Sequence, residues 1–552
     1  MGIPLLWKEI GAGRKVALAK LVEEGYKSKG HFRLGIDISI WSFQIKAAIG
    51  GAHPDLRTLF YRLCKLLLLG ISPLFVFDGD DRPEFKRNKC VGGLEYNSQH
   101  LFKPMKKLIE LFGFDWIEAT GEAEAELARL QRQGVIDVIM TEDVDALMFS
   151  GAKVIRSWRS ENSNNAPTHV TMYDLPTIKE EKQLTPAGMI LIALMSGGDY
   201  IPAGIFRCGI KTAVQAGIAG FGETMLAASS LESWRDDFVE ELRTNQQGHF
   251  QRKHPVLKVA PDFPNRQVLE YYVNPRVCEH DLQGIWLGVP DIAGLRKFTG
   301  HYFNWRGTWG ALKFIRAMSP PILSWKILHG RAGNSFEIHG TRTHTSTDSS
   351  MEFRCHFVPA EIVGIDLDVE EDQQIAESDD GLPTPSQGGD GPTKSSTFDP
   401  FGETRIWILR CLVPSTSEQV GAWELEKKAQ RPKGKAQTKQ VLGHDQRGAL
   451  HKYFTTTKPM SKTAYSPNLQ HVSTEPGKEI AYPARRRDNV LDPQTPQIRK
   501  NSPRGVLPLD EPAKSPSKRV VLRTSLPGSW KEVEDGKPID PSFNNVEVLD
   551  LT

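Results

Sequence analysis

Along the first 160 residues, short dense apolar runs alternate with stretches in which apolar residues recur at helical spacing. Phe32 to Trp41, containing Leu34-Gly35-Ile36-Asp37-Ile38, reads as a buried strand ending near an aspartate. Asp55 to Leu69 carries a helical stripe of Leu56, Leu59, Phe60, Leu63, Leu66 and Leu67, with Gly70 placed to stop it. Pro73 to Phe77 is a second strand and ends in Asp78-Gly79-Asp80. Residues 81–100 are polar. Beyond them the pattern predicts a helix over Leu101 to Phe112, a strand over Phe114 to Ile117 and a helix over Glu122 to Arg132. Val135 to Met140 reads as a strand leading into Thr141-Glu142-Asp143-Val144-Asp145, and Lys153 to Trp158 as another. Strand–helix alternation of this kind predicts an α/β fold, a mostly parallel sheet with helices on both faces.

From Thr185 to Ser230 the pattern changes to helices broken by glycines, around Ser196-Gly197-Gly198-Asp199-Tyr200 and Gly204 to Ala213. Two helices joined by a Gly-rich turn present backbone N–H groups to a phosphate, or form an ordinary αα-hairpin. Residues 231–320 are aromatic-rich and read as helical. Phe353 to Asp366 and Thr404 to Trp423 read as strands of a small β-rich module, followed by a short helix near 422–429. The insert 367–400 reads as an excursion loop, and no sustained periodicity follows residue 430, which predicts a disordered tail.

Composition adds three points. The 552 residues exceed what one core holds, and an apolar content of 39% is low for a chain folded throughout. The six cysteines are far apart with no Cys-x-x-Cys pair, which reads as reduced thiols of an intracellular protein without a zinc site. No 18-residue apolar run, secretory signal or myristoylation signal is visible, so no membrane partner is expected. Charge is near balance overall at +2 but uneven: residues 426–552 hold 23 Lys/Arg against 14 Asp/Glu, and residues 366–399 hold ten acids and one lysine. A basic tail suits nucleic acid or an import receptor.

The acids carry the chemistry. Asp37, Asp78, Asp143 and Asp145 lie within or just past the ends of apolar strands, and the ends of parallel strands share one edge. With Glu122, Glu124 and Asp199 they would form one carboxylate pocket. Such a pocket repels itself unless cations occupy it, and oxygen ligands select Mg²⁺ or Mn²⁺. Two ions about 3.5–4 Å apart flank a scissile phosphate, activate water and stabilise the leaving oxygen. An Asp-x-Asp alone is also a solvated loop or a helix N-cap.

Six motifs then resemble, in order, the XPG/flap-endonuclease family of structure-specific 5′ nucleases: Met1-Gly2-Ile3-Pro4-Leu5-Leu6-Trp7, Gly35-Ile36-Asp37, Phe75-Val76-Phe77-Asp78-Gly79, Gly121-Glu122-Ala123-Glu124-Ala125, Thr141-Glu142-Asp143-Val144-Asp145 and Gly197-Gly198-Asp199-Tyr200. The resemblance spans about residues 1–320. It implies that the seven acids are catalytic metal ligands for two Mg²⁺. It also implies a helix-two-turn-helix at about 196–225 that grips duplex phosphates and holds K⁺. Gly2, Gly204, Gly209, Lys211 and Thr212 become DNA-binding residues by the same route, as do Lys86, Arg87 and Lys89, which match the family only loosely. Helical spacing would pair Glu122 with Glu126 rather than Glu124; the family pattern selects Glu124 and leaves Glu126 structural.

Glu122 follows Asp78 by only 44 positions, so the family's helical arch is reduced or absent. A minimal arch suits a substrate without a free 5′ end, such as a four-way junction. With the β-module after the nuclease, the chain resembles the fungal-type GEN/Yen Holliday junction resolvases, whose extra domain is a chromodomain. The implied organisation is an N-terminal nuclease region at 1–100 and an internal region at 101–230. A helical part at 231–320, a chromodomain-like module at 321–429 and a disordered basic regulatory tail at 430–552 complete it. The expected activity is paired nicking of a junction by a homodimer. The alternatives are a 5′-flap endonuclease and a non-catalytic junction-binding scaffold, against which the complete set of acids argues.

In the tail, Lys427 to Lys435 and Arg485-Arg486-Arg487 are basic clusters that suit nuclear import or duplex backbone. Ser466, Thr495, Ser502 and Ser515 each precede Pro and suit a proline-directed kinase, which would make location and DNA binding cell-cycle regulated. Leu450-His451-Lys452-Tyr453-Phe454 resembles a sliding-clamp box with Arg447 where its Gln belongs. Val546 to Leu551 resembles a SUMO-interacting strand.

Overall fold

The computed structural model describes residues 2–3, 5–45, 51–83, 85–86, 89–90, 95–159, 167–279, 282, 284, 287–370, 398–429, 518–523, 530–534 and 546–550. The strands of the first half are β1 (Arg14–Ala17), β2 (Arg33–Asp37), β3 (Ser72–Phe77), the hairpin β4 (Phe85–Lys86) and β5 (Lys89–Cys90), β6 (Asp115–Glu118), β7 (Val138–Met140), β8 (Lys153–Arg159) and β9 (His169–Asp174). Seven of them form one sheet in the order β1-β9-β8-β7-β2-β3-β6. The run from β8 to β6 is parallel, and β9 and β1 add an antiparallel edge. Period-2 alternation sends β3 side chains to both sides of the sheet. Phe75 and Phe77 join one apolar core and Leu74 and Val76 the other. Helices cover both faces, which is why the strands read as nearly continuous apolar runs.

The structure corrects several predicted boundaries. β2 stops at Asp37, and the chain turns at once into a helix, Ile38–Ile45. Ile38, Trp41 and Ile45 are buried at helical spacing, so their apolar character belongs to a helix face rather than to a longer strand. β7 begins at Val138, because Asp137 turns aside to accept the Arg33 amide at 2.8 Å and to pair with Lys29 and Arg33. The helix predicted from Leu101 already begins at Glu95 and runs to Leu111. β1 and β9 were not anticipated, since four to six residues on an edge carry little periodicity.

The second half adds helices at Leu231–Thr244, Arg266–Val273, Ile292–Tyr302 and Gly307–Leu328. The small sheet then follows as β10 (Glu337–Thr343), β11 (Met351–Phe357) and β12 (Thr404–Leu409), in that order and antiparallel throughout. β10 was not predicted. β11 ends at Phe357, ahead of a short helix Pro359–Val363 where a strand was expected to Asp366. Pro359 opens that helix because a missing N–H costs nothing at its first position. β12 gives way to a 3₁₀ turn at Arg410–Leu412, and the last helix among the described residues spans Glu418–Ala429.

This sheet shares the nuclease core. Phe353, Phe357 and Ile408 belong to the same buried cluster as Phe60 and Leu63. The Ala17 amide donates to Asp348 at 2.6 Å, and the Ser350 hydroxyl to Glu23 at 2.8 Å. Residues 1–439 accordingly form one compact unit. The other unit, residues 440–552, contains β13 (Lys518–Arg523), β14 (Trp530–Glu534) and β15 (Val546–Asp550), ordered β14-β13-β15. That sheet lies in the stretch read from sequence as a disordered tail. Among the described residues, no helix is long and apolar enough to cross a membrane.

Candidate metal centre

Parallel register brings the acids to one edge. Asp37 ends β2 opposite Val76 of β3, and Ile36 lies opposite Met140 of β7. Asp78 and the loop Thr141–Asp145 therefore leave their strands beside Asp37. All seven candidate acids are described, and only Asp78 among them is more than slightly exposed, its side chain being 26% accessible. Donor oxygens of Asp143, Asp145 and Asp199 lie within 4.8 Å of one another, with all three residues buried.

Hydrogen bonds join the acids through Thr141, Ser39, Ala123 and Tyr200, of which Ser39 lies outside the six motifs. Thr141 Oγ1 donates to Asp37 Oδ2 at 2.9 Å and accepts the Asp143 amide at 3.1 Å. Ser39 donates its amide to Asp37 at 2.9 Å and its hydroxyl to Asp78 at 3.0 Å. The Ala123 amide donates to Asp78 at 3.0 Å, which ties this acid to the helix Ala123–Arg132. The Tyr200 hydroxyl donates to the Glu122 carboxylate. A signal was present in the sequence: each of the four lies within two residues of an acid.

Glu122 is the N-cap of its helix, with extended backbone at φ −85° and ψ 140°. The opposition of positions i and i+2 on a helix does not apply to it, so Glu122 and Glu124 are not forced onto opposite faces. Glu126 is committed elsewhere: it accepts Arg129 at 2.6 Å and the Cys278 amide at 2.8 Å. Glu142 also turns away, taking Arg156 at 2.9 Å and the Ser157 amide at 2.6 Å.

Burial pushes the Asp37 carboxyl up to about 7, and the charges of Asp78 and Asp143 add to the rise. Crowded, buried carboxylates with oxygen donors only are the donor set of a hard divalent cation, so the residues fit Mg²⁺ or Mn²⁺. Among the described basic groups, Arg82 reaches Asp78 at 3.5 Å.

Gly2 lies at the cluster itself. A Cβ built there would sit 2.4 Å from Asp143 Oδ1 and 2.6 Å from Asp145 Oδ1. Lys86 and Lys89 are backbone register partners in the hairpin β4–β5, past Asp78 in the chain; Arg87 lies outside the described residues.

The helix-two-turn-helix is formed by Pro186–Ser196, Ile210–Ile218 and Phe221–Ala227. Gly204 has φ +56°, and a Cβ there would meet the Gly197 nitrogen at 2.5 Å, so the turn needs glycine. Gly209 caps the second helix with open space before it, and Lys211 is exposed in its first turn. Ser466, Thr495, Ser502, Ser515 and Leu450–Phe454 lie outside the described residues. Val546–Asp550 is β15, paired with β13.

Family models match in three places: the XPG N-terminal domain over residues 1–91, the XPG I-region over 113–199, and the Holliday junction resolvase Gen1 C-terminal domain over 336–426. An Arabidopsis thaliana protein described as flap endonuclease GEN-like 1 is 23% identical over 57% of this chain and 66% of its own length. The human flap endonuclease GEN homolog 1 is 26% identical over 34% of this chain. This chain spans only 23% of that human relative. A crystal structure of the Holliday junction-resolving enzyme GEN1 with product DNA and Mg²⁺ is 38% identical, with a TM-score of 0.66, covering 77% of this chain and 100% of that one. A second structure of that enzyme, with potassium, is likewise 38% identical, with a TM-score of 0.65.

Proposed function

The chain belongs to the XPG family, in its GEN-type Holliday junction-resolving branch, and from that premise we propose that it cuts four-way DNA junctions by metal-dependent phosphodiester hydrolysis. The observation that carries the chemistry is the buried Asp143, Asp145 and Asp199 cluster beside Asp37. The reading of the substrate rests on the hairpin β4–β5, which leaves four residues before the next helix, and on the module matching the Gen1 C-terminal domain.

Asp37, Asp78, Glu122, Glu124, Asp143, Asp145 and Asp199 would hold two Mg²⁺, with Mn²⁺ as a substitute. Bound there, the cations lower the pKa of the attacking water and stabilise the leaving oxygen. Thr141, Ser39 and Tyr200 orient the carboxylates, and the close packing of Gly2 against Asp143 and Asp145 restricts access on that side. The open N-terminus of Ile210–Ile218, with Lys211 and Thr212, binds a duplex phosphate, and the turn that needs Gly204 supplies carbonyls for K⁺. Lys86, Arg87 and Lys89 reach the phosphates near the cut. The products carry a 5′-phosphate and a 3′-hydroxyl.

Two copies on one junction cut opposed strands. The protein works in the nucleus in recombination and repair. Its tail is read by a proline-directed kinase at Ser466, Thr495, Ser502 and Ser515, by SUMO at Val546–Leu551 and by a sliding clamp at Leu450–Phe454. Phosphomimetic changes at Ser502 and Ser515 that alter neither location nor DNA affinity would remove the kinase from this account.

The decisive experiment is Mg²⁺-dependent cleavage of matched junction, flap and splayed-arm DNA with cut sites mapped. Paired nicks on a cruciform plasmid within one complex lifetime are expected, and single uncoupled nicks would sink the dimer. Asp37→Ala or Glu122→Ala abolishes cleavage while junction binding persists; retained turnover removes that residue from the site. The names of the curated relatives favour a second reading, a 5′-flap endonuclease, and preference for the flap over the intact junction in the same assay would establish it.

A further inference from the structure

Far along the chain from the carboxylate cluster, the sheet β10–β11–β12 carries two histidines and a glutamate at one place on its surface. We propose that His339, His356 and Glu403 form a second metal site, selective for Zn²⁺-class ions, that fastens the chain to this sheet where it returns from the acidic insert. One donor atom from each residue lies within 4.8 Å of the others.

The backbone arranges this. Ile338 pairs with Cys355 and Gly340 with Arg354, so His339 is the extra residue of a β-bulge. A bulge re-aims the side chain it carries. Here the His339 ring stacks on His356, with centroids 4.0 Å apart and planes at 26°. His356 sits on the central strand between Glu337 of β10 and Arg405 of β12, and Glu403 immediately precedes β12.

Each imidazole already has one nitrogen against a carboxylate. His356 Nδ1 meets Glu403 at 2.9 Å, and His339 Nε2 meets Glu337 at 3.1 Å. Glu337, so placed, selects a tautomer of His339 and raises the basicity of its other ring nitrogen, as carboxylates do behind metal-bound histidines. Nε2 of His356 is enclosed by protein, which leaves Nδ1, beside Glu403, as the nitrogen this ring offers an ion.

Two nitrogens and a carboxylate oxygen suit Zn²⁺ far better than Mg²⁺, which prefers oxygen alone. Ligands about 2.0–2.1 Å from a tetrahedral ion lie about 3.3 Å from one another. The donors must therefore close by up to about 1.5 Å. The side chains of His339 (41% accessible) and Glu403 (61%) are exposed enough to move that far. Water completes the coordination, and binding takes neutral imidazoles and an ionised glutamate, so no redox step is involved.

This site stands apart from the nuclease reading and is tested separately. The full chain is stripped with EDTA, supplied with excess Mg²⁺ to occupy the seven acids, loaded with Zn²⁺ and gel-filtered. One equivalent of zinc is expected to remain. Co²⁺ in its place should give the intense visible bands of four-coordinate cobalt. The pair His339→Gln and His356→Gln should lose both signals, with its circular dichroism and Mg²⁺-dependent DNA nicking unchanged. No retained zinc in the wild type, or full retention in the double variant, overturns the proposal. If the double variant does not fold, Glu403→Gln decides. At least a tenfold loss of zinc affinity supports the site and an unchanged affinity overturns it.

Discussion

Thr141 bridges two acids from different strands: its hydroxyl donates to Asp37 at 2.9 Å and accepts the Asp143 amide at 3.1 Å. Valine keeps the shape and removes both bonds. Changes to groups that orient metal ligands cost about 10–100-fold in metal affinity or activity. Thr141→Val should shift the Mg²⁺ dependence of cleavage by about that factor, and should also lower the melting temperature, because two buried hydrogen bonds are lost. An unaltered Mg²⁺ titration would remove Thr141 from the metal site.

Glu124 and Glu126 should part company on substitution. Glu126 is fully buried against Arg129, and breaking a buried pair costs about 3–5 kcal/mol. Glu126→Gln should lower stability in urea unfolding while leaving the Mg²⁺ dependence of the folded fraction intact. Glu124→Gln should do the reverse. A stable but inactive Glu126→Gln protein would exchange the two assignments.

Gly2 has φ +76°, and any Cβ there would collide with the carboxylates of Asp143 and Asp145. Gly2→Ala is expected to reduce cleavage at least tenfold without lowering the melting temperature, because the strain falls on the site and not on either core. Full activity would mean that this end of the chain moves aside at no cost.

The Glu23 carboxylate ties the helix Leu18–Lys29 to Ser350 of the small module. Burial raises its pKa, but hydrogen bonds from Lys20, Lys27 and Ser350 outweigh that and hold it at about 2. Its folded value lies below its unfolded value. The stability it contributes is therefore complete above the ordinary glutamate range and is lost as pH falls towards 2. The stability gap between wild type and Glu23→Gln should be widest near neutral pH and should narrow below about pH 4.5. A gap that does not change with pH excludes this carboxylate as the cause.

Lys211 is exposed in the first turn of the helix capped by Gly209. Lys211→Ala should weaken binding of junction and duplex alike and reduce the slope of log affinity against log salt by about one. A loss confined to junctions would give this lysine a role in reading shape.

Much of this was legible in the chain. Apolar runs ending in acids located β2, β3 and β7, because a strand buried on both faces has few ways to be polar before its end. The helix from Pro54 to Leu68 followed from its stripe. Boundaries failed where one apolar run served two elements, as at Asp37–Ile38. Edge strands β1 and β9 failed because half-exposed strands of four to six residues resemble loops.

The sequence by itself determined the kind of chemistry: acids at strand ends and helix starts can converge only on the carboxyl edge of a parallel sheet. Tertiary structure alone decided how those acids are held. Thr141 meets Asp37 across 104 positions and Tyr200 meets Glu122 across 78, and no local pattern encodes contacts of that range. It also decided that the small sheet shares the nuclease core, since Phe353 and Phe60 join one buried cluster only in the folded chain. The pairing of His339 with His356 has the same origin. A bulge in β10 sets it, and a bulge depends on which strand lies alongside.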